Sequence, residues 1–224
     1  MLGLTLNLPR RKSPTILLFG AHSDDIEIGC GGTVLELLRL FPNSHVCWVV
    51  LSAGSSQRVK EAKRAAKAML RTAKKSTVIV KDFRGAFFPA EHTEIKEYFE
   101  EVKRSVDPDL IFAHYRDDLH QDHRVVGELV WNTFRDHTIL EYEIPKYDGG
   151  MGSPSVFVPL SAASMRKKVA TLMKVFESQR AKQWFTPSTF EGLMRLRGIE
   201  CNAASGFAEA FYSRKIVLGD NDNP

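Results

Sequence analysis

The sequence of 224 residues contains no apolar run near the roughly 18 residues that a membrane-spanning helix requires. Its start, MLGLTLNLPRRKSP, places the positive charges after the apolar residues, which is the reverse of a secretory signal peptide. The three cysteines are odd in number and widely spaced, so neither a disulfide framework nor a cysteine zinc site is expected. We therefore expect a soluble, cytoplasmic protein with buried thiols.

A strong excess of either charge is also absent. The chain has 31 basic and 27 acidic residues, well mixed, and a formal net charge of +4. The basic run between Lys60 and Lys75 lies on a predicted helix, where it is typical of a solvated face. This balance argues against nucleic acid as a partner and is compatible with an anionic small molecule such as a phosphorylated sugar.

Two common functional signatures are missing as well. The sequence has no G-x-S-x-G nucleophile elbow, and none of its cysteines has a recognisable catalytic partner. The segment Gly29-Cys30-Gly31-Gly32 opens a predicted helix, where phosphate could bind, but it does not match G-x-G-x-x-G. We interpret these glycines as sites of close packing between a helix and a sheet.

Four short, continuously apolar segments predict strands that are covered on both faces, as in a parallel sheet. They span residues 16–19, 46–51, 77–80 and 110–113. Each is followed by apolar residues at helical spacing, in stripes that begin at Val34, Ala62, Ile95 and Val126. The alternation predicts an α/β fold: a Rossmann-like, doubly wound, mostly parallel sheet with helices on both faces.

The length favours one domain over residues 1–224. Residues 14–135 carry the strand and helix alternation, and residues 136–218 are expected to complete the sheet and the substrate rim. In that second part, strands are predicted at 139–144 and 211–218, with a helix stripe from Val169 to Phe176 between them. The last six residues, GDNDNP, are expected to fray.

Polar clusters follow the first and the fourth predicted strand, His22 to Asp25 after the first and His120 to His123 after the fourth. In doubly wound sheets of the common strand order these strands are neighbours, and ligands bind at their carboxyl ends. Two imidazoles and a carboxylate suit a catalytic zinc, which keeps one coordination position open. The two aspartates could instead cap the next helix, but the adjacent histidine and the second histidine pair favour chemistry.

At these residues the chain resembles the LmbE-like, or PIG-L, N-acetylglucosamine deacetylases. The family motif AHPDD followed by G-x-G-G-T appears as AHSDDIEIGCGGT at 21–33, and HPDH appears as HQDH at 120–123. Arg58 and Glu61 give a weaker match to the R-x-x-E of the second helix. The resemblance covers about residues 14–135 and implies a Rossmann-like α/β fold.

The resemblance also implies roles for individual residues. His22, Asp25 and His123 would hold zinc, with iron(II) as the alternative metal, and Asp24 would be the general base. His120 would stabilise the oxyanion and help to protonate the leaving amine, a step that Asp24 could also perform.

Three basic residues are expected near the substrate. Arg58 would contact the sugar or its phosphate. Arg84 lies where relatives often have an acidic, sugar-contacting residue, so the identity of the substrate stays open. Lys146 belongs to the loop 144–150, whose proline and paired glycines could either grip a substrate or form a simple turn.

Two acidic residues, Asp118 and Asp122, could orient His120, or could be solvated loop carboxylates. Ser23 and Gln121 stand where the family usually has proline, and neither is expected to bind metal. The histidines outside the motifs that we considered receive no functional role; they are His45, His92 and His137.

These observations predict a metal-dependent hydrolase that removes the acetyl group from an N-acetylated amino sugar or sugar conjugate and releases acetate. One alternative is an amidase that acts on a larger amide-linked sugar or thiol conjugate. A second is a sugar- or nucleotide-binding module without catalysis, which the presence of Asp24 and all three ligands disfavours. The expected partner is a small-molecule N-acetylated sugar, sugar nucleotide or glycolipid, and a homo-oligomer is compatible with the sequence.

Overall fold

The structure is a computed structural model in which residue 3 and residues 13–217 are described. The predictions about the N-terminal segment and the frayed tail concern residues that lie largely or wholly outside this range. Within it, no helix has the length and apolar character needed to cross a membrane.

Within residues 13–217, seven strands form one sheet. They are β1 (Thr15–Gly20), β2 (His45–Val50), β3 (Lys75–Val80), β4 (Leu110–His114), β5 (Ile139–Tyr142), β6 (Val156–Pro159) and β7 (Ala208–Tyr212). Their order in the sheet is β3-β2-β1-β4-β5-β7-β6. Strands β1 to β5 are parallel, whereas β7 is antiparallel to both β5 and β6. The predicted mostly parallel, doubly wound sheet is confirmed.

Six α-helices accompany the sheet in the described part of the chain. They are α1 (Asp25–Leu40), α2 (Ser56–Met69), α3 (His92–Ser105), α4 (Gln121–Thr133), α5 (Ala162–Val175) and α6 (Pro187–Glu200). The first five carry the predicted apolar stripes, although three stripes end on the C-cap residue that follows the helix, namely Phe41, Phe134 and Phe176. The sixth was not predicted, because its buried Phe190 and Met194 are interspersed with the exposed Leu196 and Ile199, so no clear apolar face stands out.

The central strands send alternate side chains to two separate cores. Ile16 and Leu18 of β1 belong to a core covered by α1, α2, α5 and α6, whereas Leu17 and Phe19 belong to one covered by α3 and α4. All four side chains are at most 1% exposed. Burial on both faces explains why these strands read as continuous apolar runs rather than as alternating ones.

The C-terminal part departs from the predicted strand boundaries. The strand predicted at 139–144 ends at Tyr142, the one predicted at 211–218 is β7 at Ala208–Tyr212, and β6 was not predicted. Strand β7 begins with Ala208 and the charged Glu209, which is buried because its carboxylate lies 2.6 Å from the Lys168 ammonium. A sequence pattern shows the charge but not the distant partner that allows its burial.

The glycine cluster lies where helix α1 meets the sheet and the following segments. A Cβ atom on Gly29 would be 2.1 Å from Cδ2 of Tyr142, and one on Gly32 would be 2.6 Å from Cδ1 of Leu160. No side chain fits at either position. The interpretation of these glycines as close-packing sites is confirmed.

Helix α1 is broken at Cys30, whose φ and ψ are −142° and 15°. After the break, the backbone N–H groups of Gly32 and Thr33 donate to the two carboxylate oxygens of Glu209, at 2.9 and 2.6 Å. The helix start that could have bound phosphate is therefore already filled by a carboxylate of the protein itself.

Candidate metal centre

Strands β1 and β4 lie side by side, so the two polar clusters meet at their carboxyl ends. Nδ1 of His22 is 3.3 Å from Oδ2 of Asp25 and 3.3 Å from Nε2 of His123. The third side of this triangle, from Asp25 Oδ2 to His123 Nε2, is 3.5 Å. Three potential ligand atoms from segments about a hundred residues apart thus form a nearly equilateral triangle.

The triangle fits a tetrahedral metal ion. Zinc binds imidazole nitrogen and carboxylate oxygen at about 2.0–2.2 Å, and a tetrahedron with such bonds separates its ligand atoms by about 3.3–3.6 Å. The donor set of two imidazoles and one carboxylate suits zinc and iron(II). Three protein donors leave a fourth position for a reactant, as in catalytic rather than structural sites.

Each histidine donor is oriented from behind by a carboxylate. Nε2 of His22 lies 2.9 Å from Oδ2 of Asp122, and Nδ1 of His123 lies 3.2 Å from Oδ2 of Asp118. These contacts leave Nδ1 of His22 and Nε2 of His123 directed at the centre of the triangle. Such outer partners hold the ring orientation and raise the basicity of the ligand nitrogen.

This arrangement differs from the expectation that Asp118 or Asp122 would orient the ring of His120. The contact between Asp118 and His120 is with the backbone N–H of His120, at 2.7 Å, and not with its ring, while Asp122 donates its own backbone N–H to His120 Nδ1 at 3.2 Å. Both carboxylates are buried, Asp118 in the loop before helix α4 and Asp122 in its first turn, and each contacts one of the two candidate ligand histidines. Sequence spacing could not separate the two possibilities, because all of these residues are near neighbours in the chain.

The acidic surroundings attract positive charge strongly. Burial by itself would lower the pKa of His22, but the nearby carboxylates of Asp25 and Asp122 outweigh burial and raise it to about 10. Burial opposes ionisation of Asp118, yet His123 and Lys146 hold the pKa of that carboxyl well below its usual range. Burial and the neighbouring His114 instead lower the pKa of His123 to about 3, so that its neutral imidazole keeps a lone pair for a metal, while the carboxylates around His22 favour a cation there.

Asp24 is 5% exposed and lies beside the triangle without belonging to it. Its Oδ1 accepts a hydrogen bond from Arg58 Nη2 at 2.7 Å, and Arg58 Nε donates to Ser23 Oγ at 2.7 Å. Burial raises the pKa of Asp24, and the Arg58 guanidinium opposes this shift. Although Asp24 occupies the N-cap position of α1, its side chain makes no capping hydrogen bond to the described residues, so it does not act as a helix cap.

His120 stands at the mouth of the site as the N-cap residue of α4. Its Nδ1 accepts the backbone N–H of Asp122, and a backbone N–H can only donate. The neutral ring therefore carries its proton on Nε2. Partial burial and the neighbouring His22 both lower the pKa of His120, which favours this neutral form.

A cleft of about 340 Å³ opens over the centre, within the range of small-molecule sites. It is lined by His22, Ser52, Ala53, Gly54, Ser55, Arg58, Gly85, Ala86 and His120. Ala86 has a positive φ of 67°, an uncommon conformation for this residue type. Its N–H donates to Asp122, and its carbonyl accepts the side-chain amide of Gln121, so this wall of the cleft is tied to the metal centre.

The three basic residues expected near the substrate have different surroundings. Arg58 lines the cleft, but its guanidinium is engaged by Ser23 and Asp24. Arg84 is exposed, with its guanidinium 3.7 Å from the centre of the Phe87 ring, and it is not among the described residues that line the cleft. The Lys146 side chain is only 10% exposed, and its ammonium lies 2.6 Å from Asp118. Lys146 therefore supports the carboxylate behind His123 and is not open to a ligand.

Sequence reasoning missed His114, the last residue of β4. It is fully buried, its Nε2 lies 3.1 Å from Asp25 Oδ2, and its ring stacks on that of His123 with centroids 3.9 Å apart. A histidine at the end of an otherwise apolar central strand, on the edge where ligands bind, is the signal that could have identified it.

Comparisons with known proteins found one matching family model and several similar solved structures. A family model described as PIG-L, GlcNAc-PI de-N-acetylase, matches residues 17–134. Similar solved structures include N,N'-diacetylchitobiose deacetylase from Pyrococcus horikoshii, with a TM-score of 0.70 and 20% identity over 89% of this chain and 83% of that one. GalB, the 4-carboxy-2-hydroxymuconate hydratase of Pseudomonas putida KT2440, gives a TM-score of 0.75 and 18% identity over 93% of this chain and 99% of that one.

A third similar structure is the zinc-inhibited form of the teicoplanin deacetylase Orf2, with a TM-score of 0.67 and 13% identity over 93% of this chain and all of that one. At such identities the structural matches establish the fold, and the fold is shared by deacetylases and a hydratase. The family follows from the sequence model, which spans more than half of the chain and both polar motifs. The chain belongs to the PIG-L family.

Proposed function

We propose that this protein is a metal-dependent hydrolase that removes the acetyl group from the nitrogen of an N-acetylated amino sugar or sugar conjugate. The observation that carries the proposal is the triangle of His22, Asp25 and His123, which opens onto a cleft lined by His120 and has Asp24 beside it. The sugar class is supported by the family and by similar structures that are deacetylases of chitobiose and teicoplanin.

The metal that we propose is zinc, with iron(II) as the alternative, held by the three residues of the triangle. When bound in an open site of this kind, zinc lowers the pKa of water to about 7 and polarises a carbonyl oxygen. Asp118 and Asp122 keep the two imidazoles aligned from behind. The protein thereby supplies a rigid site that needs little rearrangement when the substrate arrives.

Asp24 is proposed as the general base that takes the proton from the attacking water. Arg58 holds its Oδ1, which leaves the other carboxylate oxygen for this task. Burial raises the pKa of Asp24, and a higher pKa makes a carboxylate a better proton acceptor near neutral pH.

His120 is proposed to donate its Nε2 proton in a hydrogen bond to the oxygen that becomes negative when the acetyl carbonyl is attacked. Its tautomer suits this role before the substrate binds, because Nδ1 is already occupied by the Asp122 N–H. The leaving amine must then be protonated. Either His120 or the protonated Asp24 can provide that proton.

The cleft also suits a hydroxyl-rich substrate. Ser52 and Ser55 offer hydroxyl groups in its lining, Arg58 offers the guanidinium N–H groups that Ser23 and Asp24 do not use, and the segment 85–86 offers backbone groups. The same centre could cleave a larger amide of a sugar or a thiol conjugate, since the described donors set the reaction and not the size of the acyl group.

The direct test is acetate release by the zinc-loaded protein from four kinds of substrate. Suitable examples are free N-acetylglucosamine and N,N'-diacetylchitobiose, UDP-N-acetylglucosamine, N-acetylglucosaminyl phosphatidylinositol, and an N-acetylated glycopeptide antibiotic. Protein stripped with a chelator and then reloaded with zinc is the matched control. We expect acetate from at least one class, loss of activity after stripping, and recovery on reloading.

Release of a free amine only from bulkier amides would identify the amidase. A protein that binds zinc but releases no acyl group from any of these compounds contradicts the hydrolase proposal. Full activity in metal-free protein contradicts the metal centre.

A further inference from the structure

His114 is a buried histidine, and one of its two ring nitrogens has no hydrogen-bond partner among the described residues. Its ring lies between the ring of His123, with centroids 3.9 Å apart, and that of Tyr142, with centroids 4.8 Å apart. Its Nδ1 is buried and has no hydrogen-bond partner among residues 13–217. An unpaired buried nitrogen costs free energy, and an apolar ring of the same shape would avoid that cost. The position therefore calls for an explanation other than folding.

The other ring nitrogen of His114, Nε2, has two polar neighbours. Its Nε2 accepts the backbone N–H of Ala21 at 3.0 Å, at the point where the chain leaves β1 for His22. The same nitrogen lies 3.1 Å from Oδ2 of Asp25. His114 thus contacts two of the three metal donors, Asp25 through its nitrogen and His123 through its stacked ring.

The backbone contact also determines which nitrogen carries the proton. Because the Ala21 N–H can only donate, Nε2 presents a lone pair, and the proton of the neutral ring resides on Nδ1. This lone pair faces the carboxylate oxygen of Asp25 at 3.1 Å, so two acceptors are held close together. A cation bound to that oxygen withdraws electron density from it and reduces the repulsion.

We infer that His114 is a positioning residue of the metal centre, which raises metal affinity by holding the ring of His123 and the backbone just before His22, and by placing a lone pair beside the carboxylate donor Asp25. This inference rests on the metal centre of the proposed function and not on the identity of the substrate. The lone pair raises the free energy of the metal-free site, and a bound metal ion relieves the repulsion. Affinity for metal is therefore obtained partly at the expense of the metal-free fold.

The test compares His114→Phe with Tyr142→Phe. The first variant keeps a stacked aromatic ring and removes both nitrogens. The second removes a buried hydroxyl that donates to the Phe19 carbonyl at 2.6 Å and keeps the aromatic ring beside His114. The readouts are the dissociation constant for Zn²⁺, from competition with a chromophoric chelator, and the melting temperature of the metal-free protein.

For His114→Phe we expect zinc affinity to fall about 10- to 100-fold, the range typical of lost outer partners of metal ligands. We expect its metal-free melting temperature to stay the same or to rise, because the unpaired nitrogen is gone. Tyr142→Phe should show the opposite combination, with unchanged affinity and a lower melting temperature. His114→Ala, which also loses the stacking, should weaken zinc binding further.

Unchanged zinc affinity in His114→Phe overturns the inference, whatever the enzyme does to its substrate. A lower metal-free melting temperature with equal affinity would show that the residue serves the fold alone. If the unaltered protein binds no zinc, this inference and the proposed metal centre both fall. Acetate release measured in parallel separates that outcome from a failure of the proposed reaction. A protein that binds zinc but releases no acetate contradicts only the reaction, and the zinc affinity of His114→Phe still tests this inference.

Discussion

Residues 15–133 and residues 139–212 contribute to the site in different ways. The first region contains the parallel strands β1 to β4 and holds all three donors of the proposed metal centre. The second contains β6 and β7, the strands that run antiparallel to one another, and it holds no member of the donor triangle. Its contribution is support: Glu209 accepts the amides of the broken α1, and Lys146 pairs with Asp118.

The difference follows from strand direction. Parallel strands place all of their carboxyl ends on one edge, so segments far apart in the chain can bring reactive side chains to a common crevice. The C-terminal region instead extends the sheet with β5, β7 and β6 and packs α5 against α1 and α2, while α6 packs against α5 and β7. We therefore expect changes in the first region to alter chemistry, and changes in the second to alter stability.

The largest effect is expected for the two histidines of the second motif. His123→Ala should lose the metal and all turnover, because it removes one of three donors, whereas His120→Ala should keep the metal and lose most of its turnover. Metal content by elemental analysis and acetate release separate the two variants. Equal loss of metal in both would show that our division of roles in this motif is wrong.

Next in size is the effect of Asp24→Asn, which preserves shape but cannot accept the proton. Turnover should fall about a hundred- to ten-thousandfold, with metal content and melting temperature retained. The exposed Asp117→Asn serves as the control and should behave like the unaltered protein. Near-normal turnover in Asp24→Asn would exclude it as the base.

The C-terminal region is tested by Lys168→Met, which leaves the buried carboxylate of Glu209 without its cation. The free energy of unfolding should fall by about 3–5 kcal/mol. The turnover number of the protein that remains folded should be unchanged. Lys167→Met, at the exposed neighbouring position, should alter stability by no more than about 0.5 kcal/mol. A lower turnover number in folded Lys168→Met would contradict the expectation that changes in the C-terminal region alter stability and not chemistry.

The smallest effect concerns Glu36 of α1, which joins the regions by accepting the backbone N–H of Ser161 at 2.8 Å. Burial would raise the pKa of Glu36, but hydrogen bonds from Ser161 and Arg39, among others, outweigh it and lower the pKa to about 2. The stabilisation is therefore complete above the ordinary value of 4.5 and is lost as the pH falls towards 2.

Glu36→Gln should accordingly reduce stability by about 1.5 kcal/mol at pH 7, and the difference from the unaltered protein should shrink between pH 5 and pH 2. Urea unfolding at several pH values measures this difference. The exposed Glu191→Gln is the control. A difference that does not depend on pH would mean that Glu36 is not charged in its contact with Ser161.

Much of the fold was predictable because its signals are local. The apolar runs at 16–19 and 110–113 identified β1 and β4, and the helical stripes identified α1 to α5. Strand β7 and helix α6 were placed wrongly or missed. The buried Glu209 and Arg197 in these elements are stabilised by ion pairs with Lys168 and Glu143, which the local sequence does not reveal.

The sequence by itself determined the α/β alternation and the residue types of the two motifs. These depend on the period and spacing of residues along the chain, which are visible in the sequence without knowledge of the fold. Only the tertiary structure decided that Asp122 contacts His22, that Asp118 contacts His123, and that His114 lies behind Asp25. Such pairings depend on how β1 and β4 are juxtaposed and on which side each loop turns. Strand and helix periods specify the face on which a side chain lies, but not the partner that it meets across the sheet.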